Sequence, residues 1–169
     1  MGRQSIAVAA VLLLGIGAST LEAARRAQIE LDRIVSRAGG QIITQSDIRR
    51  ARDLHLVDDV STDQAVQRAL ETRLLILGEL DRAVPLGAIG PEALSTRRTE
   101  WAASIGGEDR VSSLLGPTGM SDADLETWLR DDLRIRAYIN RQFGMLPESE
   151  RQRAVDEWID RLRQRAELR

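Results

Sequence analysis

The sequence predicts a mainly helical domain: five or six helices with one small N-terminal β-hairpin. Three features predict it. Two short β-prone runs, Arg33–Ala38 and Gln41–Thr44, flank Gly39-Gly40, a pair suited to the two positive-φ positions of a two-residue hairpin turn. From Val66 to Val84 apolar residues recur at helical spacing, the strongest such pattern in the chain. Beyond it, further apolar stripes are separated by Gly, Pro and Ser/Thr signals for helix ends. The chain has 169 residues, 43% of them hydrophobic, enough for one globular domain. Only 3% are aromatic, so the core is built mainly from Leu, Ile, Val and Ala.

Ala24–Glu30 reads as a lead-in to the hairpin. Thr44 or Ser46 is placed to cap a helix from about Asp47 to His55, with Ile48, Ala51, Arg52 and His55 at helical spacing. A hairpin running into so short a helix buries too little to fold alone, and the rest of the chain has to cover it. Ser61-Thr62-Asp63-Gln64 has the form of a capping box, with Ser61 and Gln64 as reciprocal partners. The helix it opens carries Val66, Ala69, Leu70, Leu74, Leu77, Leu80 and Val84 on one stripe, and Leu75 and Ile76 widen that stripe. Buried on more than one face, it is expected to be the spine of the domain, ended by Pro85-Leu86-Gly87. Pro91 at the first helical position opens the next helix, which runs through Leu94 and Trp101 to Ile105 and stops at Gly106-Gly107. A short helix Glu108–Leu115 follows, ended by Gly116-Pro117. Ser121-Asp122-Ala123-Asp124 caps a helix over Asp122–Phe143, and Glu148 to about Leu168 forms the last one.

The first 23 residues have the layout of a signal peptide. Arg3 gives a positive start, Ile6–Gly17 is an apolar run too short to span a bilayer comfortably, and small residues permit cleavage after Ser19 or Ala23. The expectation is a leader over residues 1–23, a single domain over residues 24–169 and a periplasmic location. The alternative is an uncleaved N-terminal anchor in the inner membrane, since Ala18–Leu21 lengthen the run and Arg25-Arg26 flank it. Cysteine is absent, which excludes a lipoprotein, disulfides, thiol catalysis and Cys-ligated metal. All 24 basic residues are Arg, and the net charge of −2 argues against a nucleic-acid partner.

Signals for catalysis are scarce. His55 is the one histidine, and a His-based metal site has neither a His nor a Cys partner to build on. There is no G-x-S-x-G elbow and no Walker phosphate loop. Asp131-Asp132 are neighbours on a helix and do not face each other. Arg49, Arg50 and Arg52 are offset by Asp47, Asp53, Asp58 and Asp59. Trp101, Trp128 and Trp158 fall on apolar stripes as core anchors, although a Trp half-exposed in a groove would suit peptide binding. These residues describe a binding or interaction module that needs no metal or cofactor.

The ordered features resemble the N-terminal module of SurA-type periplasmic chaperones. Asp32-Arg33-Ile34-Val35, Gly39-Gly40, Gln41-Ile42-Ile43-Thr44 and Ser46-Asp47-Ile48 are similar to its strand, turn, strand and Ser-Asp helix start. Ala69–Ile76, Met120-Ser121 and Leu125–Ile135 continue the likeness as far as Ile135. Trp158–Ala166 looks like the segment that completes the family's module after its parvulin-type isomerase domains. The resemblance therefore implies a chaperone module of the SurA and trigger-factor peptide-binding kind, with those isomerase domains missing and no enzymatic activity. The stretch after Phe143 is too short to hold one, and the last helix is expected to pack on the other helices rather than add a strand to the hairpin.

The expected function is a non-catalytic holdase for unfolded exported or outer-membrane proteins, gripping extended segments in a groove between helices. Leu54, Leu56, Leu114, Leu115 and Met120, aliphatic residues near helix breaks, are the candidates for its lining. The other reading is an envelope scaffold that uses the same module to hold one folded partner.

Overall fold

The computed structural model describes residues 32–83 and 87–167. The expected leader, the lead-in Ala24–Glu30, the break at Pro85-Leu86 and the last residue of the final helix, Leu168, lie outside the described residues. Asp32–Arg169 form one packing unit.

Strands β1 (Ile34–Ala38) and β2 (Gln41–Thr44) form a two-stranded antiparallel hairpin. Gly39 and Gly40 turn it with φ of 58° and 81°, the conformation expected of that pair. Ser36 pairs with Ile43 and Ala38 with Gln41, but between Ile34 and Ser36 the register shifts by one residue. Regular alternation would carry Ile34 inward with Ser36 and Ala38. The bulge exchanges it with Val35, so Val35 packs on the core and Ile34 is half exposed.

Among the described residues six helices follow: α1 (Gln45–Asp53), α2 (Asp63–Leu80), α3 (Pro91–Ile105), α4 (Glu108–Thr118), α5 (Asp122–Phe143) and α6 (Glu148–Glu167). The fold class matches the expected one, and the differences are at helix ends. Thr44 is the cap of α1, its Oγ1 accepting from the Asp47 amide while the Asp47 carboxylate accepts from the Thr44 amide. The helix therefore starts two residues earlier than expected. It also ends earlier, at Asp53, because His55 adopts φ 47°. The His55 N–H donates to the Arg52 carbonyl and the Leu56 N–H to the Ala51 carbonyl, the bond pair of a Schellman turn.

The cap of α2 is Thr62 rather than Ser61. Asp59 captures Ser61 first: the Ser61 amide and hydroxyl both donate to its Oδ1, at 2.9 and 2.6 Å. Thr62 Oγ1 is left to accept from the Ala65 amide at 3.1 Å. Helix α4 continues past Gly116-Pro117 to Thr118. A proline in the last turn removes only its own N–H bond, and Gly116 before it has no Cβ to clash with the ring. Ser121 and Asp124 form the expected reciprocal box at the start of α5.

Helix α2 is the spine, packed against β1, β2, α1, α5 and α6. Three apolar clusters surround it or adjoin it. Ile43, Ile48, Ala51, Val66 and Leu70 join the hairpin and α1 to α2. Ile76, Leu80, Ile135, Tyr138, Trp158 and Leu162 join α2, α5 and α6. Leu94, Trp101, Val111, Leu115, Leu125 and Leu129 join α3, α4 and α5, with Leu54 from the end of α1. Among the described residues no polar or charged side chain is buried, the sheet has no third strand, and no helix is long and apolar enough to cross a membrane.

Candidate functional site

Two hollows meet at one side chain pair, Arg73 on α2 and Trp128 on α5. The Arg73 guanidinium lies over the Trp128 ring at 3.8 Å from its centroid, and its Nη2 donates to the Trp128 carbonyl at 2.7 Å. A guanidinium is planar and weakly hydrated, so it stacks on an indole face where an ammonium would keep its water. Burial lowers the Arg73 pKa to about 10, against the opposing pull of Asp132 and Asp131, so it remains a cation at neutral pH.

The smaller hollow, about 200 Å³, lies between β2, α1, α2 and the start of α5. Ile42, Ala51, Leu56, Leu70, Leu74, Met120 and Trp128 give it apolar walls, and Asp47 and Arg50 sit at its edge. Ile42 is 48% exposed there, one of the few large apolar side chains the domain leaves open. The larger hollow, about 420 Å³, lies among the loop after α1, α2, α3 and α5, with Trp101 and Leu129 among its lining residues. Trp101 is held in place by its indole N–H, which donates to the Leu54 carbonyl at 3.2 Å. Leu56, Arg73 and Trp128 line both hollows, so they adjoin across this pair.

The larger hollow is strongly basic in a chain of net charge −2. Arg68, Arg73, Arg97, Arg136 and Arg163 line it against only Asp58 and Asp132. Asp132 Oδ2 accepts from Arg97 Nε at 2.6 Å and from Arg136 Nε at 3.1 Å. Arg163 is held by Asp160 and the Thr72 hydroxyl, both at 2.9 Å. Arg68 and Arg73 have no carboxylate within ion-pair distance among the described residues. His55 lies exposed at the rim. Among the described residues no group of three or more His, Cys, Asp or Glu is placed to hold a metal ion.

Of the five expected lining residues, Leu56 and Met120 are in the walls. Both owe their position to a Schellman turn: Met120 follows Gly119, at φ 66°, and its N–H donates to the Leu115 carbonyl, just as Leu56 follows His55. Leu54 and Leu115 must be corrected. Leu54 is 0% and Leu115 7% exposed, both inside the α3–α5 cluster, and neither lines either hollow. Leu114 packs partly buried against the same cluster and lines neither hollow. Trp101 and Trp158 are core anchors as expected, whereas Trp128 is the half-buried one, in a groove. No local spacing marks these arginines as neighbours, because they are spread from Arg68 to Arg163 over four helices.

Fold and groove together define a mainly helical, hairpin-bearing domain with an open double hollow between its helices. No family model, curated protein or solved structure matches the chain.

Proposed function

We propose that the protein is a non-catalytic chaperone of the cell envelope, a holdase that keeps extended segments of unfolded exported polypeptides in the double hollow. The observation that carries this reading is the pair of adjoining hollows sharing Leu56, Arg73 and Trp128. An extended chain points successive side chains to opposite sides at about 3.3 Å per residue, so it can lay alternate apolar side chains along one such groove. Apolar recognition is non-directional, and Met120 and Leu56 are side chains that adapt to varied partners. The smaller hollow falls below the roughly 300–1,000 Å³ of ordinary small-molecule sites and suits a single side chain better than a whole ligand. The leader-like residues 1–23 support a periplasmic location, and the likeness of Asp32–Ile135 to SurA-type modules supports the same kind of client.

Light scattering of an unfolded outer-membrane protein diluted from denaturant tests the proposal. Aggregation is expected to be delayed by severalfold molar excess of the protein, and much less by Trp128→Ala at matched helicity. No delay with the unaltered protein at that excess would overturn it.

A further inference from the structure

The basic hollow has a charge pattern that apolar holding does not require. Arg97 and Arg136 share the single carboxylate of Asp132, which leaves an excess positive charge there, and Arg163 is paired with Asp160. Arg68 is exposed and Arg73 half buried, and neither has a carboxylate partner among the described residues. Arg73 uses one donor, Nη2, on the Trp128 carbonyl. Its other side-chain N–H groups meet no acceptor, yet they are not sealed in, since Ser36 Oγ and Arg151 Nε are the enclosed side-chain atoms left without partners among the described residues. A half-buried cation with open donors, near Asp131 and Asp132 but with no carboxylate in ion-pair contact among the described residues, is incompletely paired, and a carboxylate entering the hollow would meet that need.

We infer that the larger hollow recognises an acidic side chain, Asp or Glu, within the bound polypeptide segment, with Arg73 and Arg68 receiving its carboxylate. This deepens the proposed function and rests on it. From the carboxylate the bound segment runs on into the smaller hollow, which adjoins the larger across Arg73 and Trp128; an internal Asp or Glu is the proposed source, and the third peptide below tests a chain end against it. The specificity is then for segments that place an acidic residue beside apolar ones. Trp128 contributes by holding the guanidinium plane, and the remaining arginines raise the local positive potential.

Fluorescence anisotropy with three labelled twelve-residue peptides tests it on the full chain. The first is blocked at both ends and alternates apolar and polar residues around one central Glu. The second replaces that Glu with Gln, and the third is the Gln peptide with a free C-terminal carboxylate. The Glu peptide is expected to bind about tenfold more tightly than the Gln peptide, the lower end of what a hydrogen bond to a charged group contributes. That ratio is expected to fall below twofold in Arg73→Met and to about threefold in Arg68→Gln. Arg68 is exposed and without an ion pair, so its replacement keeps the test open should the Arg73 variant fold poorly. Equal binding of the blocked Glu and Gln peptides overturns the acidic preference and leaves the groove as a peptide site. So does a preference that survives in Arg68→Gln and in folded Arg73→Met alike, or a free C-terminus that gains as much as the Glu. Binding of neither blocked peptide overturns the inference together with the function it rests on.

Discussion

Gly39 decides how closely the hairpin approaches the spine. A Cβ placed there would stand 2.9 Å from the Leu74 carbonyl oxygen, and the backbone φ of 58° is one that side chains other than glycine adopt at a cost. The obstacle is helix backbone, which cannot swing away as a flexible side chain would. Gly39→Ala is therefore expected to destabilise the domain by about 2 kcal/mol, read from chemical denaturation. At Gly40 a Cβ meets nothing within 4 Å, so the same replacement there carries the conformational cost alone. His55 shows the converse. It occupies a left-handed position with a side chain present, which histidine tolerates better than branched residues do, and the turn it makes delivers Leu56 to both hollows. Gly119 announces its turn in the sequence; His55 does not, which is why α1 reads two residues too long at its end.

At the scale of elements, the reciprocal caps carry much of the local information. At the start of α5, hydrogen bonds from the Ser121 hydroxyl and amide hold the Asp124 carboxyl below the ordinary aspartate value of 3.8. A folded-state pKa below the unfolded one means that the cap's contribution is fully present above pH 3.8 and is lost as pH falls through the lowered folded value. In Ser121→Ala the Asp124 titration, followed by NMR, is expected to move up toward 3.8, and the variant's loss of stability should be larger at neutral pH than in acid. An unchanged Asp124 titration would show that Ser121 is not the group holding it. The α5 cap is legible from Ser-x-x-Asp because nothing upstream competes for Ser121. The cap of α2 is not, since Asp59 engages Ser61 and passes the role to Thr62. Competition of this kind depends on the loop path, and a four-residue pattern carries no record of it.

For the whole molecule, closure of the far end depends on α6, whose main neighbours are α2 and α5. Trp158 is its anchor, 5.7 Å from Tyr138 and 5.8 Å from Phe143 between ring centroids. Both pairs are tilted, arrangements that add to the burial of the rings. Trp158→Ala is expected to cost about 3–5 kcal/mol in denaturant unfolding, and Trp158→Phe markedly less. Because α6 leans chiefly on two elements, hydrogen exchange should show its amides losing protection first in Trp158→Ala, while β2, α1 and the N-terminal half of α2 keep theirs. Uniform loss over all helices would mean that the three apolar clusters unfold as one unit.

The amino-acid sequence by itself determined the helical class, the hairpin and its glycine turn, the spine helix and its neighbours, because these follow from local conformational preference and from the period of the apolar pattern. It also singled out Leu54, Leu56, Leu114, Leu115 and Met120, next to helix breaks, and Trp101, Trp128 and Trp158, on apolar stripes. Only the tertiary structure decided which of them are accessible: Leu54 and Leu56 are two residues apart, yet one is sealed beneath Trp101 and the other lines the groove. It alone brought Arg68 and Arg73 together with Arg97, Arg136 and Arg163, because the charge of a hollow is a sum over helices distant in the chain. Periodicity reports which face of a helix is buried; it does not report what stands opposite that face.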